Sequence, residues 1–122
     1  MARIIAVDDS ASMRQMVSFT LKGAGHDVIE ASDGVEALKL ANQESGVDLV
    51  ISDINMPNMD GITFVKSVKQ MPDYKFTPIC MLTTEAEESM IETGKAAGAK
   101  AWIIKPFEPP KLLDVVSKLI MF

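Results

Sequence analysis

"DLVISDINMPNMDGITFVKSV", residues 48–68, is an apolar run that ends at an aspartate, followed by a turn rich in Pro and Asn and then a stretch of helical period. The Ile and Val content of "DLVIS" (48–52) is that of a buried strand. Asp60 stands directly before "GITFVKSV", in the place of an N-cap, so the segment predicts strand, turn and helix in that order. Asp53 falls where the strand gives out. A carboxylate there is costly unless something compensates it, and two readings are open: a turn or cap residue, or a reactive carboxylate.

The same unit recurs along the chain. "RIIAV" (3–7), "DVIEA" (27–31), "PICML" (78–82) and "AWII" (101–104) predict four more strands. Met13, Met16, Val17, Thr20 and Leu21 fall at i, i+3, i+4, i+7 and i+8, and Leu112, Val115, Val116, Leu119 and Ile120 repeat that spacing, which predicts an amphipathic helix at each place. Further helix starts are signalled by Asp33 before "GVEALKLA", by Thr84 with Glu87 as a capping box, and by Glu108 before Pro109. Five strands alternating with five helices predict an open α/β fold: a doubly wound parallel sheet with right-handed crossovers and helices on both faces, a three-layer sandwich. Ligands in such folds bind beyond the carboxyl ends of the strands.

With 122 residues, 48% apolar and 24% charged, the chain predicts one domain over 1–122 with one well-filled core. Seventeen acidic against 12 basic residues give a net charge of −5, which speaks against nucleic acid and anionic membrane as partners and for a monomer. No apolar run has membrane-spanning length, and the four apolar residues between Arg3 and Asp8 are too few for a signal-peptide core, so a cytoplasmic protein is expected. The single Cys80, inside "PICMLTT", excludes an internal disulfide and reads as core filler. His26, before the second strand, reads as a surface residue and not a metal ligand.

The first polar residues after the strands are Asp8 and Asp9, Asp53, Thr83 and Thr84, and Lys105. Each alone has an ordinary reading as a cap or a solvated side chain. Their convergence on one sheet edge is less ordinary, because neighbouring carboxylates repel by several kcal/mol at an effective dielectric of roughly 20. Lys105 supplies one balancing charge, and a hard divalent cation the rest; carboxylate oxygens and water are what Mg²⁺ selects. A carboxylate beside Mg²⁺ and lysine suits attack on a phosphoryl group to form an acyl phosphate. Asp53 is then the nucleophile, Lys105 neutralises phosphoryl oxygens, and Thr83 hydrogen-bonds the transferred group.

Taken together, "VDDS" (7–10), "SDINMPNMDG" (52–61), "LTTEAEE" (82–88) and "AGAKAWIIKPF" (97–107) make the chain resemble the CheY-like receiver domains of two-component response regulators, in particular the single-domain chemotaxis type. The strand order 2-1-3-4-5 comes with that resemblance and not from the apolar pattern. The resemblance implies that Asp8 and Asp9 hold Mg²⁺, with Asp53 as both ligand and phosphoacceptor and the backbone carbonyl of Asn55 as a further ligand. It makes Thr83 the switch hydroxyl, Lys105 the phosphoryl-binding lysine with a cis bond to Pro106, and Asn55 and Glu85 residues that tune dephosphorylation. Trp102 departs from the family, which usually has Tyr or Phe there; it is either the aromatic that turns inward on activation or a packing residue on an outer strand. Met56 and Met59 are contact residues or gap fillers.

The implied function is a phosphorylation-driven binding switch, not an enzyme beyond its own phosphorylation and dephosphorylation. A histidine kinase is the donor, and helix four, strand five and helix five are the face that engages a downstream protein, in chemotaxis the flagellar motor switch. With no room for an output domain, output is expected to be noncovalent. A phosphate sink or a phosphorelay intermediate would use the same site. Two other classes fit less well. An aspartyl-phosphate phosphatase wants a second aspartate two residues after the nucleophile, where this chain has Asn55, and a flavin carrier would suffer repulsion between its phosphate and Asp8 and Asp9.

Overall fold

The computed structural model describes residues 2–84 and 89–120. Its elements follow in the order β1 (Arg3–Val7), α1 (Ala11–Gly23), β2 (Asp27–Ala31), α2 (Gly34–Gln43), β3 (Leu49–Asp53), α3 (Gly61–Lys69), β4 (Ile79–Thr84), α4 (Ile91–Ala97), β5 (Ala101–Lys105) and α5 (Pro109–Ile120). A 3-10 turn at Pro72–Tyr74, which the apolar pattern does not signal, leads into β4. The five strands form one parallel sheet in the order β2-β1-β3-β4-β5, so the architecture is the doubly wound sandwich expected.

Alternation along each strand divides the core between the two faces. Ile5, Val7, Val50, Ile79 and Met81 point to the side covered by α2, α3 and α4, where Phe64, Val65 and Val68 fill the interior. Ile4, Ala6, Leu49, Ile51, Cys80 and Leu82 point to the other side, against Val17 and Leu21 of α1 and Leu112 and Val116 of α5. Cys80 is fully buried, and burial pushes its thiol up to about 12, which agrees with core filler. Met56 and Met59 are half-buried against the first of these clusters, so they are gap fillers. His26 is half-buried as well, its Nδ1 accepting the Ala2 N–H at 3.1 Å.

Helix starts are fixed by side chains. Asp33 accepts the Glu36 N–H while the Glu36 carboxylate accepts the Ser32 N–H, a reciprocal cap on α2, and Asp60 caps α3 through the Thr63 N–H. α1 is capped by Ser10, whose hydroxyl accepts the Met13 N–H. Asp8 and Asp9 are therefore not its cap, and the Asp8 carboxylate accepts the Ser10 N–H instead. α5 begins at Pro109, as Glu108-Pro109 signals. The Thr84–Glu87 capping box lies partly outside the described residues. Among the described residues no helix is long and apolar enough to cross a membrane.

Candidate functional site

β3 carries its ladder one residue beyond the apolar run, so Asp53 is its last member and pairs in register with Leu82. Val7 of β1 pairs with Ser52, which sets Asp8 beside Asp53 across the central strand pair. Thr84 of β4 pairs with Lys105 of β5. The carboxyl edge thus gathers Asp8, Asp9, Asp53, Thr83, Thr84 and Lys105 from four strands.

Asp53 is only 6% exposed. Its Oδ1 accepts the Ile54 N–H at 2.8 Å and its Oδ2 lies 3.1 Å from Lys105 Nζ. The same ammonium stands 3.5 Å from Asp8 Oδ2, so one cation is shared by two buried carboxylates. Burial pushes the Asp53 carboxyl from 3.8 up to about 6; Lys105 opposes that rise and the Asp8 charge adds to it. The Lys105–Pro106 peptide is cis.

Asp8 is held at several points. Its N–H donates to the Ala31 carbonyl, its Oδ1 accepts the Ser10 N–H, and its carbonyl accepts Arg14 Nη1–H at 2.7 Å. Arg14, from the first turn of α1, also pairs with Glu30 of β2 at 3.4 Å. Sequence reading passed over this arginine, because its spacing from Asp8 matches no motif. Asp9, next along the chain, is exposed.

One carboxylate oxygen each from Asp8, Asp9 and Asp53 lies within 4.8 Å of the others. Carboxylate oxygens gathered within that span could hold one hard cation after modest side-chain movement. An all-oxygen donor set with one exposed carboxylate fits such an ion, with room for water ligands.

The loop from Asp53 to α3 is closed tightly. The Gly61 N–H donates to the Ile54 carbonyl at 2.7 Å, and a Cβ on Gly61 would come within 2.1 Å of the Asp53 carbonyl oxygen. Only glycine permits that approach.

Thr83 is fully buried and its hydroxyl finds no partner among the described residues. Trp102 is half-buried on the α4 side of β5, its indole at ordinary contact distance from the place a Cβ on Gly94 would take, with Lys95 Nζ 5.5 Å from the ring centroid. Its Nε1–H is buried and likewise without a partner. Glu85 lies outside the described residues.

The comparisons agree with this geometry. The response regulator receiver domain model matches residues 4–117. A chemotaxis protein CheY homolog of Campylobacter jejuni is 39% identical over 119 residues, 97% of this chain and 92% of that protein. The chemotaxis protein CheY1 of Helicobacter pylori is also 39% identical, over 97% of this chain and 96% of its own length. The structure of the chemotaxis response regulator CheY4 of Vibrio cholerae superposes with a TM-score of 0.91 at 52% identity, covering 98% of each chain. The chain belongs to the response regulator receiver domains, and within them to the CheY type.

Proposed function

We propose that this receiver domain takes a phosphoryl group from the phosphohistidine of a histidine kinase onto Asp53 and, so modified, changes its affinity for a downstream protein. The observation that carries the reading is a nearly buried carboxylate at a strand end, with two further carboxylates within 4.8 Å and a lysine at 3.1 Å. In the transfer, an Asp53 oxygen forms the new P–O bond as the P–N bond to imidazole breaks. The electron pair stays on the imidazole nitrogen, which is neutral if the ring carried its other proton. Asp8, Asp9, Asp53 and the Asn55 carbonyl would hold Mg²⁺, which when bound neutralises phosphoryl oxygens and the clustered carboxylates. Lys105, already 3.1 Å from Asp53, is placed to pair with a phosphoryl oxygen. Hydrolysis of the acyl phosphate resets the site, with Asn55 and Glu85 orienting the attacking water.

Output runs through the face made by α4, β5 and α5. On it Trp102, Ile104, Phe107 and Lys111 line a depression of about 450 Å³, and Ile104 is 42% exposed. Apolar residues at such a depression suit a protein partner. The chemotaxis relatives favour the flagellar motor switch as that partner in a cytoplasmic, monomeric signalling protein, over a phosphate sink or relay role. Incubation with Mg²⁺ and a small phosphoramidate tests the chemistry: one phosphoryl group should map to Asp53 and be absent from Asp53→Asn. A stable label on Ser or Thr would refute it.

A further inference from the structure

The loop that follows Asp53 is tied to a helix that plays no part in the chemistry. Asn58 Nδ2 donates to Asp33 Oδ2 at 2.8 Å, across 25 residues of sequence. Asp33 uses its other oxygen to cap α2, accepting the Glu36 N–H at 2.8 Å, so its carboxylate is fixed in direction before it meets the loop. Those two bonds, the backbone one first, hold the Asp33 carboxyl below the usual carboxylate range. Asn58 has φ +69, in the left-handed region, and the Met59 N–H donates to the Pro57 carbonyl around it, a tight turn that strains any residue but glycine. Beside this bond a second contact is drawn equally close: a Cβ on Gly34, the first residue of α2, would meet the Met59 side chain at 3.0 Å and its carbonyl oxygen at 3.1 Å. An unfavourable backbone angle, a directed hydrogen bond and a glycine-sized approach therefore coincide between the α2 start and the loop that begins at Ile54.

We infer that Asp33 and Asn58 are positioning residues for this loop: by seating it on α2 they place the Asn55 carbonyl for the divalent cation, and so set cation affinity and not the rate of phosphoryl transfer once the cation is bound. The inference rests on the reading of Asn55 as the fourth protein ligand. Neither residue touches the reacting atoms. Outer partners that orient metal ligands are generally worth ten- to a hundredfold in affinity, and an exposed tether belongs at about tenfold.

Four variants separate the tether from its neighbours. Asp33→Ser keeps an N-cap but is too short to reach Asn58; Asn58→Gly keeps the left-handed turn without the amide; the third variant combines them. In Asp33→Asn the new amide can donate to a reoriented Asn58, so the tether survives. Mg²⁺ titrations by calorimetry should give about tenfold weaker binding in each single loss variant, no further loss in the double, and near wild-type affinity in Asp33→Asn. Transfer from a phosphoramidate at saturating Mg²⁺ should run at the wild-type rate in all four. Unchanged Mg²⁺ affinity in the loss variants, with only their urea midpoints moved, would make the bond structural and overturn the inference, as would additive losses in the double variant or a lowered rate at saturating Mg²⁺. A wild-type protein that binds no Mg²⁺ would instead overturn the metal-site reading beneath it.

Discussion

Asp53→Asn should make the metal-free protein more stable at neutral pH, although it removes a partner of Lys105. The substitution keeps the shape of the side chain and an oxygen for the Ile54 N–H, and Lys105 retains Asp8 at 3.5 Å. What disappears is a buried charge. The Asp53 carboxyl is held at about 6 against 3.8 when unperturbed, chiefly by burial. At about 1.4 kcal/mol per pH unit that difference is worth at most ~3 kcal/mol, and water at the exposed Asp9 side of the site screens it to ~1–2 kcal/mol. Between the two values the folded protein holds a proton that the unfolded chain has lost. Wild-type stability from this group is therefore fully present below 3.8 and is lost as pH rises through about 6. Urea unfolding of both proteins in chelator from pH 7.5 to 4.5 reads the difference, since carboxyl groups away from the site cancel. The variant should lead by ~1–2 kcal/mol at pH 7.5, with the lead closing as pH falls through 6. Adding Mg²⁺ at ten times its dissociation constant should return ~1.4 kcal/mol to wild type and little to the variant. A lead that does not change with pH, or a variant no more stable than wild type at pH 7.5, would mean that Lys105 already cancels the cost of burying Asp53.

Gly61→Ala should cost about 3 kcal/mol or more, because its Cβ would sit 2.1 Å from a backbone oxygen that cannot yield as a flexible side chain would, and urea unfolding measures it. Arg14→Met frees the Asp8 carbonyl and unpairs Glu30, so Mg²⁺ affinity by calorimetry should fall about tenfold while Asp53 remains the site labelled. Gly94→Ala adds a methyl at ordinary contact distance from the Trp102 ring and should strengthen α4 by ~0.5–1 kcal/mol, read from unfolding, with a shift in Trp102 emission. Thr83→Ala removes a buried hydroxyl that finds no partner among the described residues, so stability should stay within about 1 kcal/mol of wild type while phosphorylation of Asp53 persists and the gain in partner affinity is lost.

Element order was legible because each apolar run is short, rich in Ile and Val, and followed by a cap residue. Where the strands end was not. β3, β4 and β5 continue to Asp53, Thr84 and Lys105, since parallel ladders depend on backbone groups that polar residues supply as well as apolar ones. The cap of α1 was not specified by the sequence for a related reason: Asp8 and Asp9 are good capping residues in isolation, yet the Asp8 carboxylate stands 3.5 Å from Lys105 in the site and Ser10 makes the cap. The acidic cluster could be reasoned from strand ends alone. Arg14, Gly94 and the Asp33–Asn58 tether could not, because each acts between elements that lie far apart in sequence or present no recognised spacing.

Among the described residues, Thr83 Oγ1 and Trp102 Nε1 are two of the buried side-chain atoms that find no partner, and they bear on the proposed link from site to output. Thr83 Oγ1–H and Trp102 Nε1–H lie on neighbouring strands, β4 and β5, in residues offset by two register positions and so on one side of the sheet: Thr83 pairs with Ile104, and Met81 with Trp102. A buried polar group left unpaired costs about 1–3 kcal/mol, so this pair holds the described state above what the same backbone would allow with acceptors supplied. Phosphoryl oxygens on Asp53 are acceptors of the kind Thr83 lacks. A threonine drawn toward them would vacate volume on the side of the sheet that Trp102 shares, and indole, which can only donate, gains by any rotation that brings its N–H to a carbonyl. On the proposed reading, supplying acceptors to that pair would contribute to a change of surface. Trp102→Phe should test this from the other end: it removes one orphaned donor together with the part of the ring that packs beside Gly94, so relief of the donor and loss of packing oppose each other in metal-free stability, while the gain in partner affinity on phosphorylation should shrink. Equal gains in Trp102→Phe and wild type would show that the indole N–H takes no part in the switch.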